Sequence, residues 1–396
     1  MGKRQSQEIE FKWTRDPLFD EEIAQILYEK CLEKLEASVV SVHEILKSKE
    51  RPFPLSAINL QKIAVSKLKI DSHRVMEIAD NLYNKGYISY PRTLSEMYSQ
   101  TINLKGLVEC QRQHPIWGNY AKELLDDGKF LWPRNGKRED DEKKEHPPIH
   151  PVKLATKDAH GFTVDEWRIY ELIVRHFLAC CSKDAVGFET TIKIDIAKES
   201  FEAKGLIIRE NNWLGIYHPY EKWTEKTLPT FVQHEKFLPK ALLLEGSRTK
   251  PPNLLTENEL ITLMDQNGIG TDATIHEQIK AIQENQYVEK KGIYIRPTKL
   301  GNCLFEIHES TKTELLKPAL RAIMESNLKE ISNGKMKKEE FLNNYLDQMA
   351  QVFRQMKEGE NEILEVMKKY YDETDQENFE KNDFYELVLQ EYQPLK

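Results

Sequence analysis

The spacing of hydrophobic positions changes several times along the chain, and each change predicts a different class of element. Two extended segments, "FKWTRDPLF" and "ASVVSVHEILKS", flank a predicted helix near residues 19–35. From Leu55 to about Asp126 the apolar residues recur at helical spacing, and "TVDEWRIYELIVRHFLACCS" continues it later. Residues 187–245 alternate as strands do, and the helical spacing returns from Pro251. The pattern therefore predicts a multidomain α+β chain, with helices inserted into a β-rich segment and a helical module after it.

Two stretches of the helical regions resemble each other at a shift of 200 residues. "LQKIAVSKLKIDSHRVMEIADNLYNKGYIS" starts at Leu60, and "LITLMDQNGIGTDATIHEQIKAIQENQYVE" starts at Leu260. Each predicts a helix, a tight turn, a second helix and a short strand, which is the order of a winged helix-turn-helix. Tyr90 is then expected at the start of the first wing. A winged-helix transcription regulator is one interpretation, which sequence-specific duplex footprinting would favour.

Composition indicates an ordinary water-soluble chain of 396 residues, of which 31% are charged and 39% hydrophobic. No apolar run approaches the length of a membrane span, and the N-terminus lacks the apolar stretch of a secretory signal. The five cysteines include no C-x-x-C pair, so we expect buried, reduced thiols in an intracellular protein rather than a zinc site or a disulfide framework.

The net charge of -8 is concentrated at the C-terminal end. Residues 358–396 contain 12 acidic and 4 basic side chains, so the remaining chain is balanced at 53 against 53. A chain segment with no net charge can still have basic grooves. The net charge therefore does not exclude nucleic-acid binding. The acidic tail fits either a solvated helical end or a docking segment for a basic partner.

The turn "NGIGTDATIHEQI" joins the two helices of the second copy. Gly268 and Gly270 permit positive φ and close approach of the backbone, while Thr271 and Thr274 stand at the start of a helix. Free N–H groups and the positive end of the helix dipole favour a phosphate there. The same residues also fit a glycine turn before a capped helix that binds nothing.

"EHPPIHPVK" places His146 and His150 four residues apart, a spacing that suits a metal on a helix. The prolines of this segment exclude a regular helix, and no cysteine lies nearby. A histidine held in a rigid loop suits phosphate contact or proton handling, and an ordinary loop histidine is the alternative.

In "GYISYPRT", Tyr90 stands two residues before Arg92. Either the tyrosine packs in a short strand, or it is a nucleophile with a cation beside it. These stretches, together with "FKWTRDPLFD", "IVRHFLACCSKDA" and "HPYEKW", resemble the type IA DNA topoisomerases, most closely the eukaryotic topoisomerase III branch. The resemblance is collinear and covers about residues 10–350.

The resemblance implies roles for individual residues. Tyr90 would attack a phosphodiester of single-stranded DNA and form a 5′-phosphotyrosine link, with Arg92 stabilising charge on the phosphate. His146 would contact the backbone near the cut. Thr274 would grip the strand at the turn formed by Gly268, Gly270 and Thr271. No metal ligand is assigned to this chain.

The resemblance also implies a toroidal core. The expected domains are the start of a β-rich arch at 1–54, a helical domain with the catalytic tyrosine at 55–159, the return of the arch at 160–250, a helical DNA-gripping domain at 251–357, and the acidic tail at 358–396. The two helical domains are expected to be winged-helix-like.

Type IA enzymes also have a toprim domain, which supplies a general-acid glutamate and carboxylates for Mg²⁺. The acid clusters "DDEKKE" and "DETDQE" do not match that set, so we expect Mg²⁺ on a toprim domain outside this chain. Two further departures are "TLSEM" after Arg92, where the family has an acid, and "HPV" in place of "HPT".

Three explanations remain open: one half of a split enzyme with a separate toprim chain, a gene fragment, or a single-stranded-DNA-binding relative that no longer cleaves. The resemblance further implies single-stranded DNA as a partner, a RecQ-type helicase as another, and a nuclear location. The lack of a long apolar run predicts no membrane partner.

Overall fold

The computed structural model describes residues 8–136, 146–157, 161–271 and 274–371. The chain forms two compact units. The first contains residues 1–56, 81–91 and 95–252, and the second contains residues 57–80, 92–94 and 253–396. The boundaries of the predicted domains stay predictions.

The elements follow the predicted alternation of helical and extended segments. The strands are β1 (Lys12–Trp13), β2 (Ala37–Lys49), β3 (Ala185–Ile196), β4 (Glu199–Glu210), β5 (Lys236–Phe237), β6 (Val288–Lys291) and β7 (Tyr294–Pro297). The helices are α1 (Glu21–Glu33), α2 (Ala57–Ile63), α3 (Ser72–Asn84), α4 (Leu104–Glu109), α5 (Gly118–Asp126), α6 (Val164–Cys180), α7 (Trp213–Tyr217), α8 (Glu257–Gln266), α9 (Ile275–Glu284), α10 (Lys299–Ser310), α11 (Pro318–Ser332), α12 (Lys338–Glu358) and α13 (Glu360–Tyr370), with a π-helical turn at Ala64–Leu68 and a 3₁₀ turn at Glu314–Leu316.

One antiparallel sheet, in the order β1-β4-β3-β2-β5, organises the first unit. Strand β2 comes from the start of the chain and pairs along most of its length with β3, from Ser38 opposite Asp195 to Lys49 opposite Ala185. β-Branched residues favour these strands because they pack well on a pleated surface. Two separate chain segments therefore build one sheet, and α2 to α6 are inserted between them. The α+β class is confirmed.

Helix α6 forms the core beside that sheet. Thr163 and Glu166 complete a capping box at its start, and all its residues from Ile169 to Cys180 except Glu171 are buried. A helix that is apolar on nearly every side is an interior helix. The rings of Trp117 and His114 stack beside it at a centroid distance of 3.4 Å.

His176 of α6 is buried with both ring nitrogens bonded. Its Nε2 lies 2.8 Å from the Phe53 carbonyl and its Nδ1 lies 2.9 Å from the Tyr217 hydroxyl, which together satisfy the neutral ring. Burial lowers the pKa of His176 from 6.5 to about 4. Between these values the unfolded chain binds a proton that the folded chain does not, so stability rises with pH in this window and is lost on acidification.

We therefore expect the free energy of unfolding to fall as the pH drops from 6.5 towards 4, with His176 contributing at most about 1.4 kcal/mol per pH unit. Urea titrations at several pH values test this, and His176→Gln should flatten the dependence. His43→Gln, on the exposed part of β2, serves as the control. An unchanged slope in His176→Gln contradicts the assignment.

In the second unit, the two helix-turn-helix copies pack together. Ile58 of α2 lies in one cluster with Ile261 of α8 and with Ile275 and Ile279 of α9. Strands β6 and β7 form the hairpin expected after α9, with Gly292 at φ 65° in its turn. The second copy therefore has the predicted wing.

The expectation of a wing in the first copy is wrong. After α3, Ile88 pairs with Pro151 in an isolated bridge and the Ser89 N–H donates to the His150 carbonyl at 2.9 Å, so the pairing partner comes from much later in the chain. Hydrophobic spacing reports local periodicity and carries no information about such a distant partner.

Three smaller differences have local causes. The predicted strand in "KFLPKALLLEGS" is only two residues long, because Pro239 lacks the N–H needed to continue the ladder. Cys110 is exposed at the end of α4, although a buried thiol was expected. The acidic tail begins as a packed helix, since α13 buries Val366 against Cys303 and Ile307 of α10. No helix in the described part of the chain is long and apolar enough to cross a membrane.

Candidate functional site

Tyr90 lies at the end of a short extended segment that the fold holds on both sides. Gly86 ends the turn after α3 with φ 75°, and Ile88 is buried at the pairing with Pro151. The Tyr87 ring packs edge-on against Phe162 at 4.8 Å. Packing therefore accounts for Tyr87 and Ile88, while the chain delivers Tyr90 to a half-buried position just beyond them.

Two rings contact the Tyr90 ring. The His146 ring lies at a centroid distance of 4.4 Å with an interplanar angle of 45°, and the Tyr83 ring meets Tyr90 edge-on at 5.3 Å. Aromatic contacts of this kind restrict ring orientation and add modest stability. The structure thus brings together Tyr90 and His146, which sequence analysis had assigned to one site.

The two loop histidines have different environments. His146 is exposed beside Tyr90, whereas His150 is buried, with its Nδ1 2.7 Å from the Pro148 carbonyl. Burial lowers the pKa of His150, so it is neutral at pH 7. The segment is not helical, as its prolines predicted. His150 therefore holds the loop in place, and His146 is the histidine available to a ligand.

Arg92 is anchored to helix α3. Its Nη2 donates to Oδ2 of Asp80 at 3.0 Å, and about a quarter of the Arg92 side chain remains exposed. His276 of α9 is buried, and its pKa is lowered to about 4, first by burial and then by the positive charge of Arg92. His276 is therefore neutral at pH 7.

The glycine turn before α9 has the conformation that its sequence predicted. Gly268 and Gly270 have φ values of 67° and 79°, and a Cβ on Gly270 would lie 2.9 Å from Cγ1 of Ile275. The Thr274 hydroxyl accepts from the Thr271 N–H at 2.8 Å and lies 3.2 Å from the Thr271 hydroxyl. Thr274 thus shapes the turn, and the exposed Thr271 leads into the helix start.

Sequence analysis missed Tyr83, Asp80 and His276. All three lie on helices, where a polar or aromatic residue among apolar neighbours gives little sign of a functional contact. The available signal was the polar face of α3, on which His73, Glu77 and Asp80 recur at spacings of four and three.

No group of three or more His, Cys, Asp or Glu side chains within the described residues is arranged to hold a metal ion. The two acidic clusters considered from the sequence, at residues 140–145 and 372–377, lie outside the described residues. The expectation that Mg²⁺ belongs to another domain therefore stays a prediction.

Comparisons with known proteins agree with the sequence motifs. A family model described as DNA topoisomerase matches residues 1–343. DNA topoisomerase 3 of Caenorhabditis elegans is 40% identical over 375 residues, covering 94% of this chain and 48% of that protein. DNA topoisomerase 3-alpha of Homo sapiens is 43% identical, covering 92% of this chain and 36% of the human protein. The chain thus spans about half or less of the length of these two curated relatives.

The fold is similar to that of topoisomerase I from Thermotoga maritima. That structure matches with a TM-score of 0.70 and 23% sequence identity, covering 88% of this chain and 57% of the other. At this identity the likeness concerns the fold. The family model, the relatives and the fold agree, and the chain belongs to the type IA DNA topoisomerase family, on its topoisomerase III branch.

Proposed function

We propose that this chain carries the nucleophile of a topoisomerase III-like enzyme, which cleaves one DNA strand, passes another through the break and reseals it. One observation supports the proposal above others: Tyr90 is held between two rings and is followed, two residues later, by an arginine anchored on α3. Membership of the family agrees with it.

In the proposed reaction, the Tyr90 phenolic oxygen attacks the phosphorus of a phosphodiester. The bond from phosphorus to the 3′ oxygen breaks, and a 5′-phosphotyrosine link forms. The phenol gives up its proton, and the 3′ oxygen gains one as it leaves. A phenolate is itself a good leaving group, so attack by the 3′ hydroxyl reverses the step and restores the strand.

The neighbouring groups have separate roles in this proposal. The Arg92 guanidinium forks onto phosphate oxygens and stabilises the charge that develops on them. His146 orients the Tyr90 ring and contacts the DNA backbone. The turn of Gly268 and Gly270, with Thr271 and Thr274, offers hydroxyls and a helix start to a neighbouring phosphate.

We further propose that a toprim domain outside these 396 residues supplies Mg²⁺ and the acid that protonates the leaving oxygen. Mg²⁺ bound there would neutralise phosphate charge. No cluster among the described side chains fits Mg²⁺. The steps proposed for this chain therefore use only its own side chains.

The chain alone is expected to bind single-stranded DNA in preference to duplex, and to leave supercoiled plasmid unrelaxed until a toprim polypeptide and Mg²⁺ are added. Fluorescence anisotropy with labelled single strands and duplexes measures the first, and agarose-gel relaxation measures the second. Relaxation by the purified 396-residue chain alone contradicts the need for a toprim polypeptide. Preference for one duplex sequence would instead favour a transcription regulator.

A further inference from the structure

Asp80 stands out among the groups around Arg92. The carboxylate accepts from Arg92 Nη2 at 3.0 Å, and the two side chains are 33% and 26% exposed. An ion pair on the open surface contributes little to stability, because water and salt screen it. This pair is partly shielded, so its geometry is better defined than that of a solvated pair.

The two partners differ in how firmly the chain holds their backbones. Asp80 lies on α3 beside Ile78, Ala79 and Leu82, which are all fully buried. Arg92 follows Pro91 in a stretch, residues 91–103, that contains neither helix nor strand. The bond therefore ties the side chain of a loop residue to a rigid helix.

A guanidinium is planar and carries its five N–H donors in a fixed fork. A bond from Nη2 to the Asp80 carboxylate therefore restricts the orientation of the whole group. His276, a buried neighbour on α9, is neutral at pH 7 because its pKa is lowered to about 4, whereas Asp80 on α3 offers Arg92 a carboxylate.

We propose that Asp80 is a positioning residue for Arg92, which holds the guanidinium in the orientation that receives a phosphate of single-stranded DNA. This inference rests on the proposed function, since it assigns Arg92 to a DNA phosphate.

The two possible roles of Asp80 predict opposite changes in the affinity for DNA. If Asp80 were only a negative charge near bound DNA, its neutralisation would reduce repulsion and tighten binding. If Asp80 positions Arg92, its neutralisation weakens binding, although the protein becomes more positive. Affinity alone therefore separates the two roles.

The experiment uses the full chain and a labelled single-stranded oligonucleotide, with anisotropy measured at several salt concentrations. Arg92→Ala is expected to weaken binding. It should also reduce the slope of the logarithm of the binding constant against the logarithm of salt concentration by about 1, the amount expected for one lost phosphate contact. Asp80→Asn is expected to weaken binding about 3- to 10-fold and to lower the same slope. In the Arg92→Ala background, Asp80→Asn should have no further effect, because the two residues act as one unit.

Glu77→Gln is the matched control, since it removes a carboxylate from the same face of α3, where Glu77 pairs with Arg74. It should bind as tightly as the wild type or more tightly. Asp80→Glu restores the carboxylate and should recover most of the lost affinity, which guards against loss of the fold in Asp80→Asn.

Unchanged or tighter binding by Asp80→Asn overturns the positioning role, and so does failure of Asp80→Glu to recover affinity. If Asp80→Asn weakens binding equally with and without Arg92, the effect does not pass through the guanidinium and the role is likewise overturned. If the wild type does not bind single strands, the proposed function fails first and the positioning role falls with it.

Discussion

Tyr90→Phe is expected to abolish covalent attachment to DNA, because it removes the oxygen that we propose attacks phosphorus while keeping the ring that packs against His146 and Tyr83. Loss of a nucleophile from a covalent mechanism lowers the rate by several orders of magnitude, here at least about 10⁴-fold. The measurement is a denaturant trap. The chain is mixed with a toprim polypeptide, Mg²⁺ and an end-labelled single strand, and the adduct is quantified on a denaturing gel.

Tyr87→Phe is the control for this substitution. Tyr87 lies three residues earlier in the same extended segment, and its ring packs against Phe162. It should form the adduct within a few-fold of the wild type. If Tyr90→Phe yields as much adduct as the wild type, Tyr90 is not the nucleophile.

The second large effect concerns stability. Glu257, at the start of α8, has a side chain only 2% exposed, and it accepts from the Ser72 N–H at 2.7 Å and from Lys290 Nζ at 3.0 Å. Lys290 on β6 also bonds to Asp71. The wing and both helix-turn-helix copies are therefore joined through one buried carboxylate.

Lys290→Met is expected to lower the free energy of unfolding of the second unit by about 2–3 kcal/mol, because it leaves a buried carboxylate without its cation. The figure lies below the usual cost of breaking a fully buried pair, since the Lys290 side chain is 31% exposed. Urea titration followed by circular dichroism tests it.

Two further variants show whether lost charge or lost packing causes the decrease in stability. Lys291→Met changes the adjacent, exposed lysine and should have little effect. Glu257→Gln combined with Lys290→Met should be more stable than Lys290→Met alone, because the uncompensated charge is then gone. A double variant no better than the single one shows that lost packing, and not charge, causes the effect.

Much of the fold could be predicted from the sequence, because helices and turns depend on residues that are close together in the chain. The helical spacing of apolar residues in "TVDEWRIYELIVRHFLACCS" predicted α6, and the order of helix, turn, helix and strand predicted the wing of the second copy. Lone tertiary partners could not be predicted. The segments after α3 and after α9 have similar local patterns. The segment after α9 forms a hairpin, whereas the segment after α3 pairs with the loop at His150.

The candidate site likewise contains some residues that could be predicted from the sequence and others that could not. Tyr90, Arg92, His146 and the glycine turn were recognisable because each lies in a short motif with unusual residues. Asp80 and His276 gave no such signal, since each lies in an amphipathic helix where polar residues are ordinary. Their importance depends on which side chain faces them, and only the three-dimensional structure provides that.

The pairing of Ser89 with His150 has a consequence for how the protein folds. The two residues are 61 positions apart, so ordering the backbone before Tyr90 requires closure of a long loop, whose entropic cost precedes any gain from the contact. Helices α3 and α6 form from local contacts and have no such requirement. Tyr90 is therefore expected to reach its final position late on the folding pathway, so that a newly made or partly unfolded chain has ordered helices before the segment that holds Tyr90 is in place.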